Sequence, residues 1–239
     1  MKLQKQIGFE FEIGSPISLR TVCRRIKSEL GIAGLKTVEE FTVETPLKHN
    51  GEIITPVWAF RKGVVNLRRI FRWFEKNGIL TDDTCGFHVN LSYKKKEFNY
   101  MIDPMRLVLC FNEEKWLKVC KRGNNEYTHC YIDELIVDSQ KRVFANEEKV
   151  YNWIDKKLED LSDKYRTINI ENLVEDNPYV EYRCLGGLGY HLRPNIMFKA
   201  IMDMSNNMDR ALPSARGTSF MTKKVRGCFF LKAERVIPH

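Results

Sequence analysis

The sequence has no Cys-x-x-Cys pair, although it contains seven cysteines: Cys23, Cys85, Cys110, Cys120, Cys130, Cys184 and Cys228. Their odd number and scattered spacing argue against a zinc ribbon or a disulfide scaffold and fit reduced thiols in a cytosol. No apolar run approaches the ~18 residues of a membrane-spanning helix. The opening Met-Lys-Leu-Gln-Lys-Gln lacks the apolar core of a signal peptide. Internal repeats, low-complexity tracts, flexible linkers and coiled-coil seams are absent too. The expectation is a cytoplasmic protein with no membrane contact, read as one domain over residues 1–239, its oligomeric state unread.

What is present is ordinary for a globular chain: 43% hydrophobic and 29% charged residues, enough apolar surface for a core. Lys and Arg number 39 against 31 Asp and Glu, a net charge of +8. That sign favours anionic partners such as nucleotides, phosphorylated intermediates or nucleic acid, or marks only a basic surface. Gln6 to Gly14, Lys36 to Thr45, Glu52 to Thr55, Gly86 to Tyr93, Arg166 to Glu171 and Tyr179 to Leu185 read as strands. Leu19 to Leu30, Phe60 to Asn77, Asp103 to Lys121, Glu147 to Leu161 and Pro194 to Leu212 read as helices, with Gly31 and Gly78 as stops. Residues 123–146 fit no element and are taken as an insertion beside a site. This order of elements predicts an α+β fold, a mostly antiparallel sheet with helices packed on one face.

Four of the strands carry polar groups on one face. In Gly8-Phe9-Glu10-Phe11-Glu12-Ile13, residues two apart point the same way, so Glu10 and Glu12 sit side by side opposite Phe9, Phe11 and Ile13. Adjacent carboxylates repel one another, and a divalent cation between them relieves that cost. Glu52 lies in Gly51-Glu52-Ile53-Ile54-Thr55-Pro56. His88, Asn90 and Ser92 share a face of Cys85-Gly86-Phe87-His88-Val89-Asn90-Leu91-Ser92, and Glu181 and Arg183 share one in Val180-Glu181-Tyr182-Arg183. Lys164-Tyr165-Arg166-Thr167-Ile168-Asn169 adds another arginine and an amide. Each piece alone fits a solvated strand face, a surface ion pair or a satisfied core histidine. Their recurrence on four strands points to a shared site.

In this order the motifs GFEFEI, GEIITP, CGFHVNLS, YRTINI and VEYR resemble the amidoligases of phages and bacteria, in the carboxylate–amine ligase superfamily with glutamine synthetase and glutamate–cysteine ligase. The resemblance covers Ile7 to about Gly187. It implies a curved, glutamine-synthetase-like sheet whose concave face binds ATP and two or three Mg²⁺ ions, with Mn²⁺ as a substitute. By motif it implies Glu10, Glu12, Glu52, His88 and Glu181 as metal ligands. His88, Arg166 and Arg183 would contact the nucleotide, with the two arginines at the transferred phosphate. Asn90 stands where the family commonly has a second histidine; it can hydrogen-bond substrate but cannot transfer a proton.

The implied reaction joins a small-molecule or peptide carboxylate to an amine through an acyl phosphate. Two other readings compete. Clustered acids with a histidine on a +8 chain also suit a metal-dependent phosphodiesterase or nuclease, although such sites are typically rich in Asp. The basic stretch of about 199–239, with eight Lys or Arg against three Asp or Glu, suits a non-enzymatic nucleic-acid-binding or virion-associated protein. There Lys223, Lys224 and Arg226 lie near Phe220, Phe229 and Phe230. The substrate pair is not legible.

Overall fold

The structure is a computed structural model that describes residues 3–123, 128–139, 141–142, 144, 147–161 and 165–213. Lys164 and the basic stretch beyond Pro213 lie outside the described residues. No helix among the described residues is long and apolar enough to cross a membrane. The fold is α+β, as the order of elements predicts.

Among the described residues, seven antiparallel strands form one open sheet. They are β1 (Lys5–Ser15), β2 (Lys36–Val38), β3 (His49–Ile54), β4 (Trp58–Ala59), β5 (Gly86–Tyr93), β6 (Ile168–Asn169) and β7 (Val180–Gly186). The order across the sheet is β2-β3-β1-β5-β7-β6, and β4 extends the β3 side by pairing with the start of β1. The helices are α1 (Leu19–Leu30), α2 (Phe60–Lys76), α3 (Lys96–Tyr100), α4 (Pro104–Cys110), α5 (Glu113–Cys120), α6 (Tyr131–Ser139), α7 (Glu147–Leu161) and α8 (Pro194–Ala211).

Alternation in the central strands sorts aromatic residues from acids. Phe9, Phe11 and Phe87 form a ladder on one face: Phe87 lies 5.7 Å from Phe9 and 5.5 Å from Phe11 between ring centroids. α2 seals this face with Phe71 and Phe74, whose rings meet Phe87 and Phe11 edge-on at 5.5 and 5.4 Å. Tyr190 stacks on Phe87 at 5.3 Å, and its hydroxyl donates to the Glu12 carbonyl at 3.2 Å. α8 lies under β7, where Asn207 donates to the Tyr182 hydroxyl. Each fully buried apolar side chain here stabilises the fold by about 1.5–3 kcal/mol, so this face fixes which way β1 and β5 turn.

Local signals account for the element ends. Ser18 caps α1 by accepting from the Thr21 N–H, and Gly31 closes it in the left-handed region. α2 ends at Asn77, followed by Gly78 at φ 65°. Three expected elements are corrected. The strand expected over Arg166 to Glu171 is confined to Ile168–Asn169, and Glu171 begins a short 3-10 turn. The strand expected over Lys36 to Thr45 stops at Val38, after pairing with Glu52, and residues 39–48 leave the sheet as a loop. The helix expected over Asp103 to Lys121 is two helices. Phe111 is extended, and Asn112 starts α5 by accepting the Lys115 N–H. In residues 123–146, α6 and the bridge between His129 and Arg166 occupy the described part.

α2 approaches β1 closely through Gly63, where an added Cβ would fall 2.2 Å from the buried Ile7 Cγ2. Gly63→Ala should therefore lower Tm, although alanine favours an isolated helix by about 1 kcal/mol. In a double-mutant cycle, Ile7→Ala should make the combined loss smaller than the sum of the single losses.

Glu113, wholly buried at the start of α5, accepts the Tyr131 N–H at the beginning of α6 through Oε2. Burial pushes its carboxyl from 4.5 up to about 8, with the Asp133 charge adding to the rise and the N–H groups of α6 opposing it. The folded state then holds a proton that the unfolded chain releases near 4.5. Its contribution is fully present below that pH and is lost as pH rises through about 8. Tm measured against pH should fall across this window in the wild type, and Glu113→Gln should flatten the fall.

Candidate active site

The register of three strand pairs builds the site. β1 and β3 set Glu12 opposite Glu52, and β1 and β5 set Glu10 opposite His88. β5 and β7 set Asn90 opposite Glu181, which lies opposite Asn169 of β6. Directly opposed side chains on one face lie close enough to touch. Four glutamates separated by up to 171 positions in the chain thus converge on His88. Its Nδ1 is 3.3 Å from Glu10, 3.4 Å from Glu181 and 3.9 Å from Glu52, and its Nε2 is 3.5 Å from Glu12.

The flanking groups hold these carboxylates in place. Asn90 Nδ2 donates to Glu10 Oε1 at 2.7 Å, and Asn169 Nδ2 donates to Glu181 Oε2 at 3.0 Å. The Gly86 N–H donates to Glu12 Oε2. Gly86 is required here, because a Cβ would sit 2.5 Å from His88 Nε2 and 2.9 Å from Glu12 Oε2. Asn90 Oδ1 is buried without a hydrogen-bond partner among the described residues.

The charges are unbalanced. Burial opposes ionisation of Glu10, but the hydrogen bond and charge of His88, with Asn90 and Glu52, overcome it and hold the carboxyl at about 2. Glu52 goes the other way. Burial, then the negative charge of Glu10, Glu12 and Glu181, pushes it up to about 9, so it keeps its proton and shares it with Glu10. A cation would remove the conflict that raises Glu52. The donor atoms fit one: Glu10, His88 and Glu181 form one set and Glu12, Glu52 and His88 a second, each set lying within 4.8 Å. An oxygen-rich shell with one imidazole suits Mg²⁺ or Mn²⁺.

Glu10, Glu12, Glu52 and His88 open from the sheet onto a cavity of ≈ 230 Å³, which Arg122 and Arg183 also wall; Glu181 lies against His88 and Arg183 rather than on its wall. Arg183 Nη1 donates to Glu181 Oε1 at 2.5 Å. Arg122 donates to the Cys85 carbonyl at 2.6 Å, and among the described residues Nε of each arginine is buried without an acceptor. Glu40, Thr42, Thr84 and Tyr165 form the rest of the wall.

Arg166, expected at the transferred phosphate, does not line this cavity. It is buried elsewhere, where its guanidinium donates to Glu134 and to the Leu161 carbonyl and stacks over Tyr131. The reason is its place: Arg166 precedes β6 and bridges to His129, so it serves the packing of α6. Arg122 supplies the second guanidinium instead. It follows α5 in a loop, and apart from the adjacent Lys121 nothing in its sequence surroundings marks it. Glu40 and Thr42 reach the rim from the loop of residues 39–48, where nothing in their sequence surroundings marks them.

A family described as "Putative amidoligase enzyme" matches residues 32–189, well over half of the chain. The chain belongs to this amidoligase family. The match takes in β2 to β7, and with them Glu52, His88, Asn90, Arg122, Glu181 and Arg183. β1 lies before it, so Glu10 and Glu12 join the family's part of the chain through strand register. No curated protein matches the sequence. Membership makes the chain a ligase-type enzyme.

Metal binding should depend on the space that Gly86 leaves. Mn²⁺ titrated into the protein and followed by EPR should bind at least tenfold more weakly to Gly86→Ala, while the far-UV circular dichroism of the two proteins stays the same.

Proposed function

We propose that this amidoligase is an ATP- and Mg²⁺-dependent carboxylate–amine ligase acting through an acyl phosphate. The observation that carries this reading is the convergence of Glu10, Glu12, Glu52 and His88 with two arginines on one cavity, with Glu181 against His88 and Arg183, in a chain of the amidoligase family. A carboxylate is a poor electrophile at neutral pH, which is why phosphorylation must precede amide formation.

The substrate carboxylate oxygen attacks the γ-phosphorus of ATP, the bond to the β–γ bridging oxygen breaks, and ADP leaves with that electron pair. The amine nitrogen then attacks the acyl carbon, the carbon–oxygen bond to phosphate breaks, and inorganic phosphate departs as the nitrogen loses its proton to solvent. Mg²⁺, held by the four glutamates and His88, supplies neutralising charge for the phosphate oxygens when bound. Asn90 keeps Glu10 at the cavity, and Asn169 keeps Glu181 against His88. Arg183 and Arg122 take the negative charge that builds up on the transferred group, using Nε donors that have no acceptor among the described residues. Burial of Arg122 against the Cys85 carbonyl fixes its position before substrate arrives, so little reorganisation is needed.

The test is ADP release that depends on an added amine and carboxylate, screened over amino acids and small amines. Glu10→Gln and Arg183→Ala should each lower turnover by about 10²-fold or more, with Tm changed little. Chelation by EDTA should abolish turnover, and added Mg²⁺ should restore it. Full turnover in both variants would defeat the assignment of the site.

A further inference from the structure

The aromatic side of the sheet carries a second cavity, of ≈ 380 Å³, where α2 meets the turn that leads into α8. Its wall is basic. Arg68 and Arg72, one helical turn apart on α2, both line it, and no carboxylate pairs with either among the described residues. Arg68 is steadied by the Phe198 ring, 4.8 Å from its guanidinium carbon. Pro194 and Asn195 open the first turn of α8 onto the same space, adding the partial positive charge of a helix N-terminus.

A buried side chain also faces this space. His191 is 5% exposed and lines the cavity. Its ring is held edge-on between Phe74 and Tyr190, and Nδ1 lies 3.3 Å from the Thr81 hydroxyl. Nε2 has no hydrogen-bond partner among the described residues. Burial holds His191 down at about 4, so the ring is neutral and one of its nitrogens can act as a donor. Glu75, also on the wall, offers an acceptor for a hydroxyl or amine of a ligand.

The surrounding field favours anions. α1 and α2 together carry ten Lys or Arg against two Glu, a surplus equal to the +8 of the whole chain. This surplus lies on helices that cover the side of the sheet opposite the acidic hollow. We propose that the Arg68–Arg72–His191 cavity is a second binding site, separate from the active site, for a small molecule bearing a phosphate or carboxylate group.

Binding can be measured by calorimetry on the full chain in EDTA, with inorganic pyrophosphate and succinate as separate probes. This distinguishes phosphate from carboxylate recognition, and a failed ligase assay would leave the result intact. At least one probe should bind one to one, and Arg68→Ala/Arg72→Ala should weaken it tenfold or more. Arg61→Ala/Lys62→Ala, which removes the same charge from α2 outside the cavity, should not. The same probe should move the ring resonances of His191 in NMR spectra, assigned with His191→Gln. Absence of binding by either probe, equal weakening in the two double variants, or a still His191 ring would overturn the proposal.

Discussion

The register of β1 between β3 and β5 is the constraint on which the rest depends. In that register Phe9 and Phe11 enter the aromatic ladder, and Glu10 and Glu12 meet His88 and Glu52. A slip by one residue would turn both carboxylates into the core and both rings into the hollow. The energy of burying the rings is therefore what holds four carboxylates together against their repulsion. The acidic site is placed by packing on the far side of the same strands.

That arrangement divides the molecule electrostatically. One face concentrates buried carboxylates around a single imidazole, with two arginines at the margin. The other is covered by α1 and α2, which hold the chain's surplus of positive charge. Glu52 shows the strain of the first face most clearly, since burial and its acidic neighbours keep its proton on at neutral pH. The cation of the proposed mechanism would relieve that conflict, and membership of the amidoligase family supplies the chemical context.

Much of this was legible in the sequence because β1, β5 and β7 follow strict two-residue alternation, which assigns each side chain to a face without reference to neighbours. The bounds of β5 and α7 are those expected, and Glu10, Glu12, Glu52, His88 and Glu181 meet in one place. The failures have local causes. Asn112 divides α4 from α5 through one side-chain cap within a pattern otherwise helical throughout. The two-residue strand β4 is too short for any periodicity to register. Arg166 is expected at the cavity and Arg122 goes unmarked, because alternation is informative only inside a strand. One precedes β6, the other lies in a loop, and their directions depend on tertiary partners, Glu134 for one and the Cys85 carbonyl for the other.

A crystal soaked in Mn²⁺, with its anomalous difference map, is the most direct test of whether the sheet register builds a metal centre. The account predicts strong peaks within bonding distance of a His88 ring nitrogen, flanked by Glu10 and Glu181 or by Glu12 and Glu52. Saturating Mn²⁺ that leaves this hollow without an anomalous peak would contradict it.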